Sequence, residues 1–146
     1  MSKKQIPLPK KSKSSNKKSV PSTEKHSKSY DDMNGRIVFT KISNHKKCPI
    51  DKIQGTEFKL LIECFKIIES LTWNEIKLHN GLNFERNKNI AIPLPQGLPP
   101  DAKLCSMRVD GKFRIYGYRA QEFFYIIWID KNHEVCPLGK NKKYTA

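Results

Sequence analysis

Three strands are predicted in residues 103–136, which have the sequence KLCSMRVDGKFRIYGYRAQEFFYIIWIDKNHEVC. The dipeptide Asp110-Gly111 separates the first two and is typical of a tight type I′ hairpin turn. A second turn at residues 120–122 leads into residues 123–130, which are apolar on both faces and predict a central strand covered on both sides. Side chains alternate along a strand, so one face of the middle strand should carry Lys112, Arg114, Tyr116 and Tyr118. Cations and phenols on one face predict a platform for phosphate groups and bases.

The residues before this stretch predict one further strand and two helices. Residues 35–42 form the predicted first strand. From Thr56 onward, apolar residues recur at three- and four-residue steps, at Phe58, Leu61, Phe65, Ile68 and Leu71. This stripe indicates an amphipathic helix with its apolar face in the core and Thr56 as its N-cap. Residues 72–75, TWNE, fit a capping box that starts a short second helix. Residues 82–92 predict a loop with an edge strand. The fold class is therefore α+β, with two helices packed on one face of a small, mostly antiparallel sheet.

The core of this fold is expected between the first helix and the sheet. The positions predicted to be most buried are Phe65 and Ile68 on the helix, and Ile127 or Ile129 on the central strand. Cys64 and Cys105 also lie on apolar faces, where a cysteine behaves as a small hydrophobic residue. Both are therefore predicted to be core residues.

The net charge of +14 is unevenly distributed along the chain. Residues 1–30 hold nine Lys and one Glu with few apolar side chains, a composition that predicts a disordered basic tail. Residues 31–138 are the predicted domain, and residues 139–146 a frayed C-terminal tail. The chain beyond residue 30 is still basic, so an anionic partner is expected, and nucleic acid is the commonest. Solubility alone is the competing explanation for both basic segments.

The four Cys residues show no C-x-x-C spacing. Because the chain has neither a signal-peptide pattern nor about 20 consecutive apolar residues, we expect a cytoplasmic protein with reduced thiols and no membrane partner. Two matched pairs, His45-x-x-Cys48 and His133-x-x-Cys136, would supply four zinc ligands only if they met in space. A small zinc-stabilised interaction domain is thus a minor alternative, and no metal or cofactor is predicted.

The residues suited to chemistry are cations, phenols and one imidazole. RNA cleavage requires a base for the 2′-hydroxyl, cations for the charge that grows on the phosphate, and an acid for the leaving oxygen. The candidates are Arg108, Lys112, Arg114, Tyr116, Tyr118, Arg119 and His133. Glu85 is a weaker candidate for the base, and Asp130 is expected to shape the turn that follows the last strand. No P-loop, dinucleotide-binding fingerprint or nucleophile elbow is present.

Residues 105–116, CSMRVDGKFRIY, resemble the S-R-R-I-x-x-x-H-R-L-V-Y segment of YoeB-type toxins in the RelE/ParE superfamily. The strand that leads to Asp130 and His133 is similar to the last strand of those toxins, which ends at a catalytic His. The resemblance implies a small RelE-like α+β domain that cleaves messenger RNA on the ribosome. It also implies an acidic antitoxin as partner. ParE-like members instead poison DNA gyrase, so a gyrase-inhibiting or nucleic-acid-binding module without catalysis is the alternative.

The resemblance assigns roles only at matching positions. Arg114 corresponds to the family's catalytic, phosphate-binding Arg, His133 to its terminal acid, and Arg108 to a basic residue before the hairpin. Substrate positioning would fall to the neighbouring Lys112, Tyr116, Tyr118 and Arg119. This sequence departs from the family pattern at two places. Residues 92–95 contain no carboxylate where the family has its base, and Glu134 replaces the Tyr that follows the terminal His.

Overall fold

The computed structural model describes residues 29–137, which contain a five-stranded sheet and two α-helices. The strands are β1 (Arg36–Val38), β2 (Glu85–Arg86), β3 (Cys105–Asp110), β4 (Phe113–Ala120) and β5 (Phe123–Asp130). The helices are α1 (Gly55–Ser70) and α2 (Trp73–Leu78). The strand order is β1-β5-β4-β3-β2, with β1 parallel to β5 and the other pairs antiparallel. The α+β class is confirmed, with a mixed sheet.

The predicted tails fall largely outside the described residues. From the N-terminal tail the structure describes Ser29 and Tyr30, and Ser29 Oγ accepts a hydrogen bond from the N–H of Asp31 at 3.1 Å. This contact caps a short 3₁₀ turn, Tyr30–Asp32. The C-terminal tail lies wholly outside the described residues. Within residues 29–137, neither helix has the length and apolarity needed to cross a membrane.

The β3–β4 hairpin forms where it was predicted, with a different turn. Asp110 pairs with Phe113, so the two-residue loop is Gly111-Lys112. Gly111 has φ of +51°, and it is the one loop residue with positive φ. A positive φ at the first loop position alone is the pattern of a type II′ turn, so the predicted type I′ turn is wrong. The second turn closes between Ala120 and Phe123, as predicted.

The two helix starts depend on local capping. At α2 the prediction is confirmed: the Thr72 N–H donates to Glu75 Oε1 at 2.9 Å, and the Glu75 N–H donates to Thr72 Oγ1 at 3.3 Å. At α1 the predicted N-cap, Thr56, is wrong. Gln54 is the N-cap, and its N–H donates to Glu57 Oε1 at 2.8 Å. Helix α1 therefore begins before Thr56, which lies in its first turn.

The sheet is covered on both faces. On one face, α1 and α2 pack through Leu61, Ile68 and Trp73 against residues that include Ile115 and Phe124. On the other face, irregular segments cover the sheet with Cys48, Ile92 and Val135. The predicted burial of Ile68, Ile127 and Ile129 is confirmed, as is that of Cys64 and Cys105. The same prediction is wrong for Phe65, which is half-buried, with its ring 5.7 Å from that of Phe39.

A register shift between β4 and β5 decides which side chains face each other. Tyr116 pairs with Trp128, and Gly117 pairs with Ile126, so Ile127 is the extra residue on β5. Ile127 and Trp128 consequently pack in the same cluster on the face without helices. Gly117 permits the close approach of the strands, because a Cβ there would overlap the backbone of Tyr125. Beyond the shift, Arg114 lies directly opposite Asp130.

Candidate functional site

A row of charged residues crosses three strands at one end of the sheet. Arg108 on β3 pairs with Arg114 on β4, and Arg114 pairs with Asp130 on β5. Burial lowers the pKa of the Arg114 guanidinium from its ordinary value, and the charge of Arg108 lowers it further. Glu85 and Asp130 act on this pKa in the opposite direction. Two cations and two carboxylates are therefore within electrostatic reach of one another.

Arg114 is held in place by its own hairpin. Its Nη1 donates to the carbonyl oxygens of Gly111 and, at 3.3 Å, of Phe113. Only 6% of the residue is exposed. These contacts orient the guanidinium at the hairpin end of the sheet, and they also give it a structural role there.

Asp130 anchors the turn that carries His133. The carboxylate of Asp130 is fully buried and accepts hydrogen bonds from the N–H groups of Glu134 at 2.9 Å and Val135 at 2.8 Å. Burial raises the pKa of the Asp130 carboxyl above its ordinary value, while these bonds and the charge of His133 oppose the rise. His133 has φ of +60° and is 8% exposed. The expectation that Asp130 shapes this turn is confirmed, and Arg114 and His133 both lie next to Asp130.

The structure corrects the expected open platform of tyrosines. Tyr116 is 1% exposed and Tyr118 is 4% exposed. The Tyr118 ring stacks on Tyr125 at 4.9 Å, and the proline-rich segment 94–100 lies over it around a cavity of about 240 Å³. Burial raises the pKa of Tyr116, and so do the nearby Cys136 and Asp130. Neither predicted tyrosine presents its ring to a base in this conformation.

The other predicted cations have separate locations. Arg119 does not lie with the charged residues around Arg114. Its guanidinium is 4.3 Å from the ring centre of Trp73, and its Nη2 is 2.6 Å from Asp31 Oδ1. It therefore packs beside α2 and not next to Arg114. Lys112 is exposed in the hairpin loop, and Arg108 is half-exposed on β3. These two are the accessible cations at the hairpin end of the sheet.

Glu85 joins the group through the edge strand β2. It pairs with Ser106 on β3, and its side chain is exposed. Its charge acts on both Arg114 and Cys136. The sequence indicated Glu85 by its carboxylate and by its position next to Arg86 and a polar loop. Its pairing with β3 was not predicted, because a two-residue edge strand has no local signal. Tyr125 was not predicted, although alternation along β4 and β5 places it opposite Tyr118.

The two His-x-x-Cys pairs do not build a metal centre in the described part of the chain. Within residues 29–137, no three His, Cys, Asp or Glu side chains are grouped so that they could hold a metal ion. His45 and Cys48 close a local turn, in which the Cys48 N–H donates to the His45 carbonyl at 2.9 Å. Burial raises the pKa of Cys48 to about 12, which favours the thiol over the metal-binding thiolate.

The fold and this group of residues define a class: a small α+β domain whose cations, carboxylates and one imidazole meet at one end of a mixed sheet. A comparison of the chain with protein-family models, curated proteins and solved structures finds no significant match. The resemblance to the RelE/ParE superfamily thus stays a prediction from the sequence.

Proposed function

We propose that this protein is the toxin of a toxin–antitoxin pair, a RelE-like endoribonuclease that cleaves messenger RNA on ribosomes in the cytoplasm. The supporting observation is the row Arg108, Arg114 and Asp130 across three strands, with His133 in the turn that Asp130 anchors. Phosphodiester cleavage needs a positioned cation and an acid among its groups, and Arg114 and His133, which both lie next to Asp130, could supply these two.

Each residue of the group has a distinct role in this proposal. Arg114 stabilises the charge that develops on the scissile phosphate, and His133 protonates the leaving 5′-oxygen. Glu85 accepts the proton of the 2′-hydroxyl. Arg108 and Lys112 bind the RNA backbone at the accessible end of the hairpin. Tyr116 and Tyr118 are buried, so neither ring stacks on a base of the RNA.

The natural protein partner in this proposal is an acidic antitoxin. The 28 Lys and Arg against 14 Asp and Glu give the chain a field that attracts an acidic protein as well as RNA. Because RNA and antitoxin carry charge of the same sign, binding of the antitoxin near the active site would exclude the substrate.

A second candidate is a non-catalytic nucleic-acid-binding or gyrase-inhibiting module. The observation that favours it is the engagement of Arg114 by the carbonyl oxygens of Gly111 and Phe113. A guanidinium used to close a hairpin is less available to a phosphate. In that case the exposed Lys112 and the basic tails would supply sequence-independent affinity for nucleic acid.

The test is cleavage of ribosome-bound messenger RNA by wild type, Arg114→Ala, His133→Gln and the control Arg36→Ala. Arg36 is exposed on β1, at the far edge of the sheet. We expect the cleavage rate to fall by a factor of about 10²–10³ for Arg114→Ala and about 10²–10⁴ for His133→Gln. The cleavage rate of Arg36→Ala should equal that of wild type. Thermal unfolding of each variant separates lost chemistry from lost structure.

The second candidate makes a different prediction for the same proteins. Wild-type expression would arrest growth while messenger RNA stayed intact. Because Arg114 is held by the carbonyl oxygens of its own hairpin, both Arg114→Ala and His133→Gln would then change nucleic-acid affinity little. That result would favour the proposal of a binding module over that of a nuclease.

A further inference from the structure

The cavity of about 240 Å³ beside Tyr118 opens on the face of the sheet without helices. Nine of its ten lining residues are apolar or glycine, and three of these are prolines. Tyr118 adds a hydroxyl, and burial raises the pKa of this phenol, so it stays protonated as a hydrogen-bond donor. Because the proline walls are rigid, an occupant gains apolar burial at little cost in ordering the site.

The sequence that borders this cavity occurs twice in the chain. Residues 92–95 read IPLP, and residues 6–9, which lie outside the described part of the chain, read IPLP as well. In the described copy, Ile92 is 1% exposed and packs in the apolar cluster on the face without helices. Leu94 lines the cavity. This order of residues is therefore suited to the apolar surface around the cavity.

Residues 6–9 are also the main apolar group in the sequence before Ser29. The other apolar residues among positions 1–28 are Met1, Val20 and Pro21, and the same stretch holds nine Lys. Prolines at alternate positions predict a polyproline II segment, whose backbone carbonyls make no internal hydrogen bonds. Such a segment loses little entropy on binding, and its carbonyls can accept a bond from a phenol.

The described chain begins near the cavity. Ser29 is hydrogen-bonded to Asp31 at 3.1 Å, and Asp31 pairs at 2.6 Å with Arg119. Arg119 directly follows Tyr118, so residue 29 lies at the end of β4 that carries the cavity. Twenty residues separate Pro9 from Ser29.

A chain of that length reaches across the whole domain. Its root-mean-square span is about 25 Å, and its extended length is about 70 Å. The radius of gyration of a domain with about 100 residues is about 13 Å. Residues 6–9 can therefore reach the cavity, at an effective concentration on the order of millimolar.

Charge does not distinguish between occupants of this cavity, because its surroundings carry both signs. Asp101 and Lys103 are exposed next to the lining residue Ala102. Lys41 Nζ donates to the Gly97 carbonyl oxygen at 3.4 Å. Selection therefore depends on apolar side chains and on backbone acceptors, which the IPLP sequence supplies.

We propose that residues 6–9 of the same chain bind in this cavity. Leu8 packs against Tyr118 and Ile127, and a backbone carbonyl of the segment accepts a hydrogen bond from the Tyr118 hydroxyl. Seven of the nine Lys lie between residue 9 and Ser29, so this contact draws them into a basic loop that is closed at both ends on the domain. The contact does not depend on nuclease activity.

The test is NMR of the full chain, with wild type compared to the double variant Ile6→Ser/Leu8→Ser. Val20→Ser is the matched control, because it removes an apolar side chain from the same part of the sequence. In wild type we expect nuclear Overhauser contacts between the Leu8 methyl groups and the Tyr118 ring. The double variant should shift the methyl resonances of Ile127, and Val20→Ser should leave them unchanged.

A free peptide with the sequence of residues 4–11, KQIPLPKK, gives a second measurement. Its affinity is titrated through the same Ile127 methyl resonances. We expect the peptide to bind the double variant about tenfold more tightly than wild type, because the chain's own segment competes for the cavity in wild type. Neither substituted position lies among the residues of the core, so loss of the fold does not interfere.

Three results would overturn the proposal. The first is absence of the Leu8–Tyr118 contact, or equal affinity of the peptide for wild type and the double variant. The second is a shift at the exposed Phe39 and Phe58 instead of Ile127, which would place the segment beside α1. The third is a Leu8–Tyr118 contact that forms only between differently labelled chains, because a second copy would then supply the segment. The cleavage assay is separate from these measurements, so either proposal can fail alone.

Discussion

Replacing Gly117 by Ala tests the register on which the charged row depends. A Cβ at residue 117 would overlap the carbonyl oxygen of Tyr125, and it would lie 2.9 Å from the Tyr125 carbonyl carbon and 3.0 Å from Ile126 Cα. All three atoms belong to the backbone of the neighbouring strand, so a side-chain rotation cannot relieve the overlap. The strands would have to separate at the register shift.

The expected loss is about 3 kcal/mol or more, at the upper end of the range for overpacked cores. A domain of this size has a free energy of unfolding of roughly 5–15 kcal/mol, so the variant should be severely destabilised or unfolded. The matched control is Gly55→Ala at the start of α1, where nothing lies within 4 Å of an added Cβ. That variant should keep wild-type stability or gain up to about 1 kcal/mol.

The assay is urea unfolding followed by tryptophan fluorescence, since Trp73 and Trp128 are both buried. A midpoint for Gly117→Ala within error of Gly55→Ala would refute the reasoning. It would mean that β4 and β5 do not pair in the register described above. The pairing of Arg114 with Asp130, which depends on that register, would then lose its support.

Three further predictions concern stability. Thr72→Ala should cost about 1 kcal/mol because it removes the cap of α2, whereas Thr56→Ala, at the rejected N-cap, should cost little in the same urea assay. Hydrogen bonds from Lys77 and Arg119 lower the pKa of Asp31, so the ionised carboxylate stabilises the fold. Above about pH 5, Asp31→Asn should lose the whole of this stabilisation. Its unfolding midpoint should converge with wild type as the pH falls through the lowered pKa. Dialysis against a strong chelator should leave the thermal midpoint unchanged, because no metal-binding group forms within residues 29–137.

Local features of the sequence were sufficient for the start of α2 and for the positions of both hairpin turns, although they gave the wrong type for the first turn and the wrong N-cap for α1. The capping box of α2 needs only residues 72–75, and both hairpin turns need only two loop residues with the alternating strands around them. The α+β class also followed from the order of these elements.

Local sequence patterns did not predict which residues of the candidate site are exposed. Alternation correctly placed Arg114, Tyr116 and Tyr118 on one face of β4, but it could not say that segment 94–100 covers that face. Likewise, the pattern of α1 predicted that Phe58 is buried, whereas Phe58 is 58% exposed in the described part of the chain. Exposure depends on how distant segments pack, and periodicity reports only which residues share a face.

Tertiary structure alone decided which charges meet. Arg114 and Asp130 are neighbours because of one register shift, and Glu85 joins them through a two-residue strand. Arg119, also in β4, pairs instead with Asp31 and Trp73 from remote segments. Residue types and alternation set the chemistry available to this chain. Strand register and loop packing determine which groups are close enough to act together, because electrostatic and hydrogen-bond energies fall steeply with distances that the sequence does not specify.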